Sequence, residues 1–188
     1  MRKLNNFLIL IMGISVFLIS YSLDAQINLF FKNIRFPIFD VILSVITNFG
    51  VVIIVMLVFP LIILYKKNKK LIYFLLLASI TSFLLALIVK LIIQRQRPIG
   101  LLFYPFVDII DYSFPSQHSI VVFSLLPMLI THLQKQKHFW IVFALLVAFS
   151  RIYFRFHFLS DVVFGALFGY FIGSYLLELY EKGKLWKT

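Results

Sequence analysis

Three stretches of this 188-residue chain carry side chains whose types and spacing point to chemistry. They are Lys90 to Arg97-Pro98, then Pro115-Ser116-Gln117-His118, then Ser150-Arg151 through His157 to Asp161. Lys90 follows nineteen uncharged residues, a setting in which a charge costs several kcal/mol unless it is paired or wet. Alone, it reads equally as a lysine snorkelling from the end of a membrane span. Arg97 comes nearly two helical turns later, so the two cations face the same way, about 10 Å apart, if the helix persists. Pro98 biases Arg97 out of the helix and toward whatever Lys90 faces. Arg95 lies off this face and reads as a solvated or headgroup charge.

Ser116, after Pro115, is a natural N-cap, which leaves free N–H groups and a positive helix end as an anion site. His118 falls in that first turn, where a merely hydrogen-bonded interfacial histidine is the competing reading. His157 and Asp161 are spaced i, i+4, so a helix places them within contact. The carboxylate can then take the imidazole N–H and leave the other nitrogen free to attack; a structural His–Asp pair at a helix end is the alternative. Arg155 reads as an interfacial anchor. His118, His157 and Asp161 would also suit zinc, but Lys90, Arg97 and Arg151 beside them repel a divalent ion, and no metal or cofactor is expected. His132 and His138 fall on the opposite side. The set matches a phosphoryl group: cations and N–H donors neutralise its equatorial oxygens, a neutral His157 attacks in line, and a protonated His118 protonates the leaving oxygen.

The elements that must position these groups are membrane spans. Apolar residues make up 62% of the chain, charged residues only 13%, and the mean hydropathy is +1.02. That is too little polar surface for a soluble domain and too apolar for a disordered one. The absence of cysteine excludes disulfide scaffolds, thiolate zinc sites and cysteine nucleophiles. The net charge of +11 falls largely in short runs between apolar stretches, the pattern of membrane-protein loops rather than of a nucleic-acid face. Six spans are expected, at about 6–23, 50–65, 71–93, 117–133, 139 to an end somewhere in 150–156, and 159–180, giving an all-α six-helix membrane bundle within one domain over 1–188. The first reads as a retained span, because its apolar core is long for a cleaved signal. Residues 25–47, interrupted by Lys32, Arg35, Pro37 and Asp40, read as a segment lying at the outer interface. Eleven of eighteen cations fall on one side if the amino terminus is inside, so both termini are expected in the cytoplasm and the site outside. Asp108 and Asp111 in the 95–115 loop read as solvated.

The three stretches together, in order and at these spacings, resemble the signature of the type 2 phosphatidic acid phosphatase family, within the larger group that includes vanadium haloperoxidases. The motifs cover residues 90–161, and the six-span layout extends the likeness over most of the chain. The resemblance implies a metal-independent phosphatase forming a phosphohistidine on His157, supported by Asp161, with His118 as general acid and then as the base that activates water. It implies that Lys90, Arg97, Ser116 and Arg151, with N–H groups around Gln117, hold the phosphate of a lipid phosphate or diphosphate reached from the outer leaflet. The signature has glycine where this chain has Gln117, which bears on head-group preference. A polyprenyl diphosphate or phosphatidyl-type lipid is the expected substrate, with a lipid A-type substrate also open. A non-catalytic anion-binding or transport protein would not need His118, His157 and Asp161, and a vanadate-dependent peroxidase would not need lipid access.

Overall fold

The computed structural model describes residues 2–65, 68–99, 102–104, 109–183 and 185, with backbone alone for 2–10, 102–104 and 109–110. Helix α1 (Arg2–Ser22) is followed, after Leu23, by α2 (Asp24–Asn33), the two bent by 49°. Helix α3 (Pro37–Thr47) opens on Pro37, whose fixed φ and missing N–H suit a first turn. Asn48 then accepts from the N–H groups of Gly50 and Val51, capping α4 (Phe49–Ile53) at a 57° bend. A π-helical turn (Ile54–Val58) joins α4 to α5 (Phe59–Tyr65). Pro60 lies just beyond, and its ring and missing N–H forbid the ordinary bond to the Met56 carbonyl, which the wider turn accommodates.

Helix α6 (Lys69–Ile93) is capped by Asn68 and ends at Gln94 in the left-handed region, φ 50°. Strands β1 (Leu102–Tyr104) and β2 (Ile109–Asp111) pair antiparallel, Leu102 opposite Asp111. Three helices follow: α7 (Gln117–His132), α8 (Lys137–Tyr153) and α9 (Leu159–Glu181). The expected spans correspond to α1, α4 through α5, α6, α7, α8 and α9, and the expected outer segment is the helix pair α2 and α3. By length and composition alone, Lys69–Ile93 and Leu159–Glu181 can each cross a bilayer. Helix α6 turns Ile80, Leu84, Ile88 and Leu91 outward, an apolar face suited to lipid and costly in water. The protein is a membrane protein, all-α apart from the short ribbon.

Helix α7 is the hub, buried on nearly every side. Gly165, Gly169 and Gly173 form a stripe on α9 that lets the two backbones touch. A Cβ on Gly169 would stand 2.3 Å from the Ile120 carbonyl oxygen, and one on Gly173 2.0 Å from that of Ser124. The same contact draws the two helix starts together, so that the Ser116 N–H donates to the Asp161 carbonyl at 3.1 Å. Close packing along the stripe therefore fixes the relation between the second and third chemical stretches.

Candidate active site

Lys90 and Arg97 do meet, but not as successive turns of one helix. Helix α6 stops at Ile93, and the two cations converge through Asp111 at the end of β2. Lys90 Nζ donates to Asp111 Oδ1 at 2.8 Å and to the Tyr112 carbonyl; Arg97 Nη2 donates to Asp111 Oδ2 at 2.6 Å. Arg97 Nε reaches the Asp111 carbonyl at 2.9 Å, and its Nη1 the Phe156 carbonyl at 2.6 Å. Both cations are buried, a burial tolerable only because each is ion-paired and hydrogen-bonded. Asp111 is therefore an ion-pair partner rather than a solvated loop residue; Asp108 lies outside the described residues.

The relation of His157 to Asp161 also differs from the expected i, i+4 contact. Helix α9 begins only at Leu159, so His157 precedes it, in a turn where Arg155 has φ 58°. His157 Nδ1 lies 2.7 Å from the Ser113 carbonyl and 3.8 Å from Asp161 Oδ2. A carbonyl can only accept, so Nδ1 carries the proton and Nε2 keeps its lone pair. That lone pair lies 3.2 Å from Arg97 Nη1. Burial first, then Arg97, Arg151 and Lys90, hold the imidazole well below its ordinary pKa, so the ring is neutral. Asp161 acts one step back. It accepts from the Ser113 hydroxyl, from the Phe158 N–H at 2.8 Å and from Arg95 Nη1 at 2.7 Å. As the third residue of α9 it takes up the N-cap N–H, a position where the helix dipole favours a carboxylate.

Arg95 is not a solvated charge. Its Nη1 also donates to the Ser160 hydroxyl at 2.7 Å, its Nη2 to Asp24 Oδ2 at 2.7 Å, and its guanidinium lies 4.1 Å over the Phe158 ring. Asp24, buried at the start of α2, accepts from the Ser160 N–H at 2.8 Å and hydroxyl at 2.5 Å. Ser113, Arg95 and Asp24 thus escaped the sequence reading. Ser113 had no sequence signal beyond its place before Phe114-Pro115; Asp24, a carboxylate at a span end, had the same kind of signal that singled out Lys90. Arg155 is tied down too, donating to Asn28 Oδ1 at 2.7 Å and to the Pro98 carbonyl.

Ser116 holds the N-cap position of α7, but its hydroxyl accepts from Ser119 at 3.0 Å instead of capping. Gln117 is helical, with no positive φ, and its amide nitrogen is buried without a hydrogen-bond partner among the described residues. The His118 ring packs edge-on against Phe49 at 4.9 Å, and its Nε2 is likewise buried without a hydrogen-bond partner. His118 shares the field of Arg151, Arg97 and Lys90, the same three cations that surround His157. Arg151 donates to the Thr47 hydroxyl at 2.7 Å and lies 4.6 Å over the Phe156 ring; its carbonyl accepts the His157 N–H. His132 is at the far end of α7, against Tyr180.

The His157 ring therefore carries its proton on Nδ1 and turns a bare Nε2 toward Arg97, and His118 lies in the field of the same cations. Phe49 also begins a cavity of about 220 Å³ between α4, α6 and α7, lined by apolar residues including Met56, Ile80, Phe83 and Val121.

Residues 69–184 match the PAP2 superfamily model. The fold is similar to the crystal structure of the first transmembrane PAP2 type phosphatidylglycerolphosphate phosphatase from Bacillus subtilis. That likeness has a TM-score of 0.71 and 25% identity, over 92% of this chain and 96% of that one. It is similar also to Aquifex aeolicus LpxE, with a TM-score of 0.63 and 24% identity over 83% and 95% of the two chains. No curated protein matches at the level of sequence.

Proposed function

Since this chain belongs to the PAP2 superfamily, we propose that it is a lipid phosphatase releasing the terminal phosphoryl group of a lipid phosphomonoester or diphosphate at the outer membrane face. The observation that carries the reading is the His157 ring: proton on Nδ1 against the Ser113 carbonyl, bare Nε2 toward Arg97. In the first step the Nε2 lone pair forms a bond to phosphorus while the bond from phosphorus to the lipid oxygen breaks, and His118, able to carry a proton once the bound phosphate's negative charge offsets the surrounding cations, gives that oxygen its proton. Lys90, Arg97 and Arg151, with Ser116 and the N–H groups at Gln117, carry the charge of the equatorial oxygens. In the second step His118 takes a proton from water, water oxygen bonds to phosphorus, and the bond to His157 breaks. Asp161 holds Ser113, and through it the tautomer of His157. The cations replace a metal ion, so the reaction proceeds in excess chelator.

The apolar cavity beginning at Phe49 supports a long-chain lipid as substrate. A phosphatidyl-type phosphate and a polyprenyl diphosphate are the candidates; the likeness to LpxE concerns the fold and leaves a lipid A-type substrate to the assay. Purified protein in detergent with excess chelator is expected to release phosphate from at least one of these lipids. His157→Ala should abolish release, and acid-labile, base-stable phosphate should accumulate on His157 in rapid quench. Release that needs an added divalent ion, or label on another residue, would overturn the mechanism.

A further inference from the structure

Two of the three buried cations whose field reaches His157 already hold an anion. Asp111 gives one carboxylate oxygen to Lys90 at 2.8 Å and the other to Arg97 at 2.6 Å, a bridging geometry that two oxygens of a phosphoryl group would reproduce. Its side chain keeps 23% of its surface exposed, while those of Lys90 and Arg97 keep 6% and 2%. The carboxylate thus closes the open side of the cation pair, the side from which a ligand must arrive. Arg97 is also the cation in contact with His157 Nε2, so the anion on Arg97 lies one residue from the attacking atom. Structural carboxylates elsewhere in the site are sealed: Asp161 is fully buried and Asp24 nearly so.

We propose that Asp111 is a built-in occupant of the phosphate seat, which an incoming phosphate displaces from Lys90 and Arg97. The inference rests on the reading of this pocket as a phosphate seat. With the seat empty of substrate, Asp111 neutralises two desolvated cations that would otherwise repel each other. A terminal phosphate monoester, with two negative charges and three free oxygens, outcompetes one carboxylate. A phosphodiester, with a single charge like that of Asp111 and fewer free oxygens, does not. Asp111 therefore selects for terminal phosphates by setting a threshold of charge that the ligand must exceed. The apparent affinity of any ligand falls by the fraction of molecules in which the seat is vacant.

The test is calorimetric binding of inorganic phosphate to the full chain in detergent, which needs no turnover. Asp111→Asn keeps the shape and removes the charge, and is expected to bind phosphate about tenfold more tightly, corresponding to a seat vacant about one-tenth of the time in the wild type. Asp111→Glu should stay near the wild-type affinity. Unchanged or weaker binding by Asp111→Asn overturns the proposal and makes Asp111 a fixed brace for the two cations. Should that variant not fold, amide hydrogen exchange of the wild type decides: saturating phosphate is expected to speed exchange over residues 109–112, and unchanged or slower exchange there overturns it. Tighter binding by the variant, with no lipid hydrolysed by either protein, would support the displacement and remove the phosphatase reading.

Discussion

Arg95 and Arg97 stand one residue apart after the end of α6, and each engages carboxylates, yet their surroundings differ. Arg95 spans Asp24 and Asp161, carboxylates with 7% and 0% of their side-chain surface exposed, each anchored further by N–H or hydroxyl groups of Ser160, Phe158 or Ser113. Arg97 has one carboxylate partner, Asp111, at the end of a short strand with an open edge. One guanidinium ties together helices that meet nowhere else by ion pairs among the described residues. The other faces the imidazole. Two charges of one type on one short segment thus divide into a permanent brace and a pairing that a ligand can exchange. What separates them is the exposure and anchoring of the partner carboxylate rather than the arginine.

The sharpest break of this comparison is removal of each arginine in turn. Arg95→Ala strands Asp24 and Asp161 as buried carboxylates without a cation, which should cost about 3–5 kcal/mol of stability. Thermal melting in detergent should show most of the folded protein lost. Arg97→Ala leaves Asp111 paired with Lys90, so melting should shift far less, while kcat/KM falls by about 10²–10³, as for loss of one transition-state donor. Equal melting temperatures with equal losses of activity would erase the distinction. Arg95→Lys separates charge from shape: one ammonium cannot serve Ser160, Asp161 and Asp24 from a planar fork, so partial rescue of melting is expected.

How far these roles were legible in the sequence follows from which signals are local. The spans were legible because about twenty apolar residues are a property of a segment by itself, and α6 and α9 fall within a few residues of expectation. Helices α7 and α8 begin at Gln117 and Lys137, within two residues of the starts the pattern gives. Lys90, Arg97, His118, Arg151 and His157 stood out because a charge or imidazole at a span end demands a reason. Their partners did not. Whether Asp24 pairs with Arg95 depends on a 49° bend and on the glycine stripe of α9 bringing distant chain together. The spacing of His157 and Asp161 suggested a helical contact, but the helix starts two residues after His157, and the bond goes to the Ser113 carbonyl instead. A backbone carbonyl is present at every residue and leaves no mark in a sequence.

Asp24→Asn is a finer test of the brace. The asparagine oxygen can still accept from the Ser160 N–H, but the bonds that Oδ2 takes from Arg95 and the Ser160 hydroxyl are lost with the charge, a change of about 1.5–3 kcal/mol, or a fall of about 3–12 °C in melting temperature. Its effect on phosphate binding should be small, whereas neutralising Asp111 should tighten it. Two Asp→Asn changes on neighbouring arginines would then differ in kind, one read in stability and the other in affinity. Tighter phosphate binding by Asp24→Asn would show that the cations act as one pool and that the two pairings are not distinct.

The smallest effect is expected at Gln117, whose side chain joins neither arginine's network among the described residues. A glycine at this place would be demanded if the backbone needed a positive φ, but Gln117 begins α7 with helical dihedrals. The conformational reason for glycine is therefore missing here. Gln117→Gly should lower stability by at most about 1 kcal/mol, the cost of glycine in a helix, reduced in the first turn. Its buried amide nitrogen has no hydrogen-bond partner among the described residues, so deleting it leaves no orphaned acceptor behind. Turnover of the best lipid substrate should stay within about threefold of wild type, under the 1.4 kcal/mol of a tenfold change. The ratio of kcat/KM between large and small head groups is the more telling measurement. A shift toward larger heads would place the Gln117 side chain against the substrate, and a tenfold loss on every substrate would make its amide a phosphate donor, on the Arg97 side of the comparison.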